Sequence, residues 1–262
     1  MRIVTLRVIV ACAALLISSA LAPGSLTHRY SFNDGTTNDS VGSANGSLIN
    51  GATVSGGQLV FSPTTNNGTN ANAATGQYLS LPSNILQTRA FTLETWVTWR
   101  GGNAWQRILD FGTQTTNADG STGGSQFIIL VPANSLMHLL GQVSLNGTTT
   151  TTDFVAGSTP PSLNTEHQIV FTHDPDANTE ALYVDGIEVG IASARGNPAN
   201  ATYSNFWIGR SQFSADPFFN GTIDELRTYD SALTPSAVSS DFSAGRTSCQ
   251  SLRFWAWRAW RL

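Results

Sequence analysis

Short stretches in which apolar and polar residues alternate are separated along this chain by pairs of Asn or Asp with Gly. Alternation with period two turns one face of a strand toward a core and the other toward solvent. The pattern predicts strands at residues 58–61, 78–81, 91–99, 108–111, 127–131, 142–145, 168–172, 181–184, 187–191, 206–208 and 222–229. The punctuating pairs are Asp34-Gly35, Asn45-Gly46, Asn50-Gly51, Asn67-Gly68, Asp119-Gly120, Asn146-Gly147, Asp185-Gly186 and Asn220-Gly221. Such pairs accept positive φ and favour tight hairpin turns. The clearest hairpin is Leu182-Tyr183-Val184, turning at Asp185-Gly186 into Ile187-Glu188-Val189. One helix is predicted, with Thr234 as cap, Pro235 in its first position and 236–242 following. The Thr/Gly/Ser/Asn-rich stretch 113–125 predicts a mobile loop. Many short strands with one helix predict an all-β sandwich or barrel.

The ends of the chain depart from this pattern. Residues 1–22 carry Arg2 and Arg7, an apolar run at 8–17 and a small-residue ending Ala20-Leu21-Ala22, the layout of a secretory signal peptide. The apolar run is shorter than the ~20 residues that a membrane-crossing helix needs. Export is therefore expected, with the folded domain at 23–246. Cleavage there removes Cys12, leaves Cys249 and allows no intramolecular disulfide. An exported fold of that kind relies on a large core or a bound metal. The tail 247–262 ends in "RFWAWRAWRL". It reads either as a cationic segment for a lipid interface or as an untethered end outside the domain.

Charge narrows the function. The chain has no Lys, and residues 23–246 hold eight Arg against all seventeen acids, a formal charge of −9. That argues against nucleic acid as a partner and suits divalent cations. Charged residues are 11% of the chain, yet the 40% hydrophobic content supplies a real core.

Several blocks resemble the concanavalin A-like jelly-roll modules of the laminin G-like type found in secreted bacterial proteins. They are "HRYSFNDGTTNDSVGSANGSLING", "AFTLETWVTW", "WQRILDFG", "HQIVFTHDPDANTEALYVDGIEVG" and "FWIGRS" followed by "FNGTIDELRTYDSALTPSAV". They occur in the order of that family's opening strand, tryptophan-bearing strand, central hairpin and closing strands. The resemblance implies a two-sheet antiparallel jelly-roll sandwich with one short C-terminal helix. It also bears on Asp224, which strict alternation places on the same strand face as Leu226. A buried carboxylate needs a partner. The resemblance implies a structural calcium held by Asp224 with Asn33, Asp39, Asn45 and the carbonyl of Gly51, since calcium takes 6–8 oxygen ligands. The other reading gives Asp224 hydrogen bonds from backbone N–H groups or an ion pair with Arg29.

Catalytic motifs are sparse. Asp174-Pro175-Asp176-Ala177-Asn178 imitates an EF-hand start, but Thr179 stands where that loop needs Gly. The glutamate–aspartate–glutamate cluster of laminarinase-type enzymes is missing, and Asp224-Glu225 point to opposite faces of a regular strand. His28, His138, His167 and His173 are scattered. Six N-x-S/T sequons, at Asn38, Asn45, Asn67, Asn146, Asn200 and Asn220, are explained largely by Asn-Gly turns. No catalytic residue is assigned. Aromatic side chains in loops suit the flat C–H faces of sugars, and this selects Trp105, Tyr203, Phe213 and Phe218 as ligand-binding candidates, with Phe219 nearby. Trp105 has a second reading as an edge cover. Trp96, Trp99 and Trp207, inside strands, read as core. The expected function is a secreted, non-catalytic module that binds a glycan or an extracellular partner. The alternatives are an adhesive cell-surface domain for a protein partner, and a glycoside hydrolase or lyase using Glu94 or Glu166.

Overall fold

The computed structural model describes residues 24–69, 74–83, 85–145 and 152–246. The signal-like segment 1–22, the tail 247–262, Cys12 and Cys249 lie outside the described residues. The strands are β1 (Leu26–Tyr30), β2 (Ser47–Ile49), β3 (Thr53–Ser55), β4 (Gln58–Val60), β5 (Tyr78–Leu81), β6 (Phe91–Trp99), β7 (Leu109–Thr116) and β8 (Thr122–Val131). They continue with β9 (Leu140–Ser144), β10 (Thr152–Ala156), β11 (Glu166–Asp174), β12 (Thr179–Val184), β13 (Ile187–Ala192), β14 (Asn205–Ile208) and β15 (Gly221–Tyr229). The helix α1 (Pro235–Ala244) follows.

Two antiparallel sheets result. The first has the order β13-β12-β11-β6-β15-β4-β3, with β1 also paired to β15; the second has the order β10-β9-β8-β7-β14-β5-β2. Side chains alternate as the sequence requires. On β6, Phe91, Leu93, Val97 and Trp99 enter the core between the sheets. Facing them from the second sheet are Leu79, Leu109, Phe111, Ile128, Leu130, Val143, Phe206 and Ile208. The predicted hairpin turn forms with Asp185 at φ 52° and Gly186 at φ 76°, both in the left-handed region that Asx-Gly accommodates.

The outer face of the first sheet is covered too. The helix α1 begins at Thr234, whose hydroxyl accepts the N–H of Ala237, and Pro235 occupies its first position. Its Val238 packs on Val170, Ala181, Tyr183 and Tyr229. Beneath it lies a charged network. Glu94 accepts from Gln168 at 2.6 Å and from the Tyr229 hydroxyl at 2.8 Å, and it faces Arg227 at 3.4 Å. Arg227 pairs with Glu225 at 2.6 Å and lies 4.7 Å over the ring of Trp96. Glu225 also pairs with Arg29. Both arginines donate to the carbonyl of Arg246, at 2.9 and 2.7 Å, which fastens the chain beyond α1 to the strands.

Three expectations change. The stretch 113–125 is not a loop: β7 runs to Thr116 and β8 starts at Thr122, joined by a tight turn in which Asp119 accepts from Ser121. Its threonines suit a pleated surface, and the ladder from Gln114 to Thr116 continues past a bulge. Asp224 does not share a face with Leu226. The register slips between Ile223 and Glu225, so Ile223 and Leu226 both reach the core while Asp224 sits at the bulge. Trp99 is core, as expected, but Trp96 lies under Arg227 outside the inter-sheet core.

Candidate functional site

The outer face of the second sheet carries the site. Register aligns Ser47, Ser80, Trp207, Asp110, Ile129, Gln142 and Phe154 in one row across it. Their neighbours along each central strand are core residues, so this row points away from the core. The chain after β14 folds back over the row. Gly209, at φ 89°, makes the turn, and a Cβ there would stand 2.7 Å from the Phe61 ring. The returning segment is tied down by Gln212 N–H to Asp110, Gln114 to the Gln212 carbonyl, and Ser214 N–H to the Thr122 carbonyl, each at 3.0 Å. A cleft opens there, lined by Gln114, Thr122, Arg210, Ser211, Phe213, Ser214, Asp216 and Phe218.

One aromatic group lines the cleft and a second lies beneath its Arg210. On one side Phe213 packs on Phe127, with Trp105 against the same apolar patch. The guanidinium of Arg107 lies 5.8 Å from both the Trp105 and Phe213 rings. It pairs with Asp110 at 3.2 Å and Asp216 at 2.8 Å, and donates to the Trp105 carbonyl at 2.7 Å. Burial pushes Asp110 up to about 6, while Arg107 and the Gln212 N–H pull the other way. Trp105 has φ 69°, an uncommon conformation for a bulky residue, of the kind found at ligand clamps. On the other side Trp207 and Tyr78 meet edge-on, with centroids 5.7 Å apart. Arg210 lies over both, its guanidinium carbon 4.1 Å from the Trp207 ring and 4.8 Å from that of Tyr78.

Of the four predicted binding aromatics, Phe213 and Phe218 line the cleft, although Phe218 is largely buried, and Trp105 supports its rim. Tyr203 is corrected: it is 1% exposed, packs edge-on against Phe206 in the core and cannot meet a ligand. Phe219 is likewise core. Trp207, expected inside, is buried at 7% exposure, but on the outer face of the second sheet beneath Arg210 and not between the sheets. The alternation of Phe206-Trp207-Ile208 holds the signal that finds it, since the flanking residues are the apolar pair in the core. Tyr78 and Arg210, not selected from the sequence, complete that side.

The residues named for calcium do not form one shell. Asp39 accepts N–H groups from Arg29, Val41, Gly42 and Ala44, and its Oδ2 lies 2.6 Å from His28 Nδ1. Burial opposes its charge, yet these bonds hold its carboxyl down to about 2. Asn45 Oδ1 accepts the Asp39 N–H, and the Gly51 carbonyl accepts from Gln77. Asp224 pairs with Arg246 and accepts from Gln58. Asn33 stands beside Gly57. With the oxygens of Asp39, Asn45, Gly51 and Asp224 engaged by donors, the set does not fit an ion that needs 6–8 ligands. Arg29, the other partner considered for Asp224, pairs with Glu225. No group of three or more His, Cys, Asp or Glu side chains able to hold a metal occurs among the described residues.

The two glutamates considered for hydrolysis are on the first sheet. Glu94 is fully buried under α1, and Glu166 pairs with Arg246 at 2.9 Å.

A family model of the concanavalin A-like lectin/glucanases superfamily, of the laminin G type, matches residues 72–239. The chain belongs to this superfamily. Among solved structures it is similar to domain 4 of AbnA, a GH43 extracellular arabinanase from Geobacillus stearothermophilus, in complex with arabinotriose. Identity there is 19% over 84% of this chain and 98% of that one, with a TM-score of 0.62. Two structures of the binding domain of botulinum neurotoxin DC, one in complex with SialylT and one with rat synaptotagmin II, each cover 84% of this chain and 51% of theirs. Both are 10% identical, with TM-scores of 0.58 and 0.60. Among curated proteins no sequence matches the chain. This lectin-like superfamily accounts for the two sheets and the short helix.

Proposed function

We propose that this chain is an exported, non-catalytic binding module that takes a saccharide in the cleft over the second sheet. The observation that carries the reading is the cleft itself: the rings of Phe213 and Phe218 line it beside hydroxyl and amide groups, with Tyr78 and Trp207 beneath Arg210, all on one sheet. Rings pack on sugar C–H faces, while polar groups fix orientation. The arabinotriose bound by the arabinanase domain and the SialylT bound by the toxin domain support the reading. So does the charge arrangement. Asp110 and Asp216 both pair with the single cation Arg107, and Asp110 is sealed from solvent, so both carboxylates are engaged within the protein. The signal-like segment 1–22 supports export.

The test is calorimetric titration with neutral and acidic oligosaccharides, repeated with Phe213→Ala and Tyr78→Ala. Binding that either substitution weakens at least several-fold, with the circular dichroism spectrum unchanged, supports the assignment. No heat with any saccharide removes it.

One observation favours a protein partner instead. Ile187 and Ile191 on the edge strand β13 are 69% and 63% exposed, and the toxin domain is also known in complex with synaptotagmin II. Crosslinking on cells that captures one protein, lost with Ile187→Lys and Ile191→Lys, would favour it.

A further inference from the structure

We infer that the saccharide is an acidic one, its carboxylate held by Arg210. The inference rests on the cleft being the saccharide site and names the chemistry recognised there. Among the described residues the Arg210 guanidinium makes no ion pair and donates no hydrogen bond. Its partners are the faces of Trp207 and Tyr78, at 4.1 and 4.8 Å. These contacts hold the guanidinium against the two rings, and its N–H groups donate to no protein acceptor among the described residues. A guanidinium edge is a planar fork that matches a carboxylate with two parallel hydrogen bonds. Arg210 is partly buried, so its charge is partly stripped of water before a ligand arrives.

The acids at the cleft are paired with Arg107 and not with Arg210. Asp216, which lines the same cleft, is taken by Arg107 at 2.8 Å and by the Ser211 hydroxyl at 2.8 Å. Asp110 lies buried behind both. The domain as a whole is acidic, with a formal charge of −9 over residues 23–246. General attraction for anions is therefore weak, and an acid would be chosen at this point rather than by the surface at large. Ser214 accepts from the Thr122 N–H, which leaves its own proton to donate, and Gln114 turns its amide nitrogen to the Gln212 carbonyl and keeps its oxygen. Both suit sugar hydroxyls beside the carboxylate. A bland alternative gives Arg210 no task beyond covering Trp207.

The probes are matched pairs: trigalacturonic acid against its methyl ester, and 3′-sialyllactose against lactose. Each is titrated into the full chain and into the Arg210→Gln variant, at low and high salt. The expected result is that the acid of one pair binds roughly ten- to a hundred-fold more tightly than its neutral partner. Which pair responds tells a uronic from a sialic acid. The preference weakens with salt and vanishes in Arg210→Gln. Equal binding of acid and neutral partner overturns the inference and leaves the saccharide reading standing. An acid preference that survives Arg210→Gln overturns the assignment to Arg210. Absence of binding by every probe overturns both readings, and a fall in melting temperature as the sole effect of Arg210→Gln leaves the bland alternative.

Discussion

Glu94 is the residue whose replacement reads the buried network most directly. It has no exposure, and burial is the chief cause that pushes its carboxyl from 4.5 up to about 7. Arg227 pulls in the opposite direction and Asp241 reinforces the rise; the Tyr229 hydroxyl and Gln168 favour the charged form. A carboxyl whose folded value exceeds its unfolded one binds its proton more tightly in the folded state. Its contribution to stability is complete below pH 4.5 and is lost as pH rises through about 7. The displacement corresponds to about 3 kcal/mol of differential stability. Glu94→Gln keeps the shape and the acceptor facing Gln168 but removes the titration. Urea unfolding of both proteins between pH 4.5 and 8 isolates the effect, because other groups largely cancel in the difference. The variant should gain on the wild type by about 3 kcal/mol as pH rises across this window. For a domain of this size that is a relative shift of roughly 6–12 °C in Tm. A difference that stays flat across the window would refute the reasoning, since Glu94 would then titrate alike in the folded and unfolded states.

Other perturbations have equally definite outcomes. Arg107→Ala leaves Asp110 buried without its cation and should cost about 3–5 kcal/mol by urea unfolding; adding Asp110→Asn should recover part of the loss. Asp39→Ala orphans the N–H groups of Arg29, Val41, Gly42 and Ala44 and should lower stability at pH 7 by roughly 1–3 kcal/mol. Because the Asp39 carboxyl is held down to about 2, that deficit should shrink as pH falls from 3.8 toward 2 in an acid-unfolding series. A chelator should leave the melting temperature unchanged, since Arg246 already pairs with Asp224; a drop that Asp224→Asn abolishes would instead show a cation at that carboxylate.

Much of the fold was legible because its strands obey local rules. β5 and β6 have the limits that alternation predicts, and the Asp185-Gly186 hairpin forms with the backbone its turn chemistry requires. β2, β3 and β10 were missed because strands of three to five residues carry too few alternations to stand out, and β1 showed only through its resemblance to the family's opening strand. The bulge at Asp224 was invisible for a different reason: it depends on pairing with β6, and one extra residue reverses every inference about faces beyond it. The site shows the same division. Phe213 and Phe218 were found as loop aromatics, whereas Tyr203 looked identical in sequence and lies inside. Trp207 was read as core, although the alternation of its own strand sets it opposite Phe206 and Ile208. Arg210 required the third dimension, because its aromatic partners come from two strands, β5 and β14, far apart in the chain.

The strand β1 is held along one side only, by β15, and the Arg246 carbonyl is clamped by an arginine from each of them. The two ends of the described body thus meet at a single seam. If the module is tethered at one end while its cleft grips a polymer, tension enters through that seam. Five residues of ladder and two arginine contacts then set the load at which the body begins to unzip.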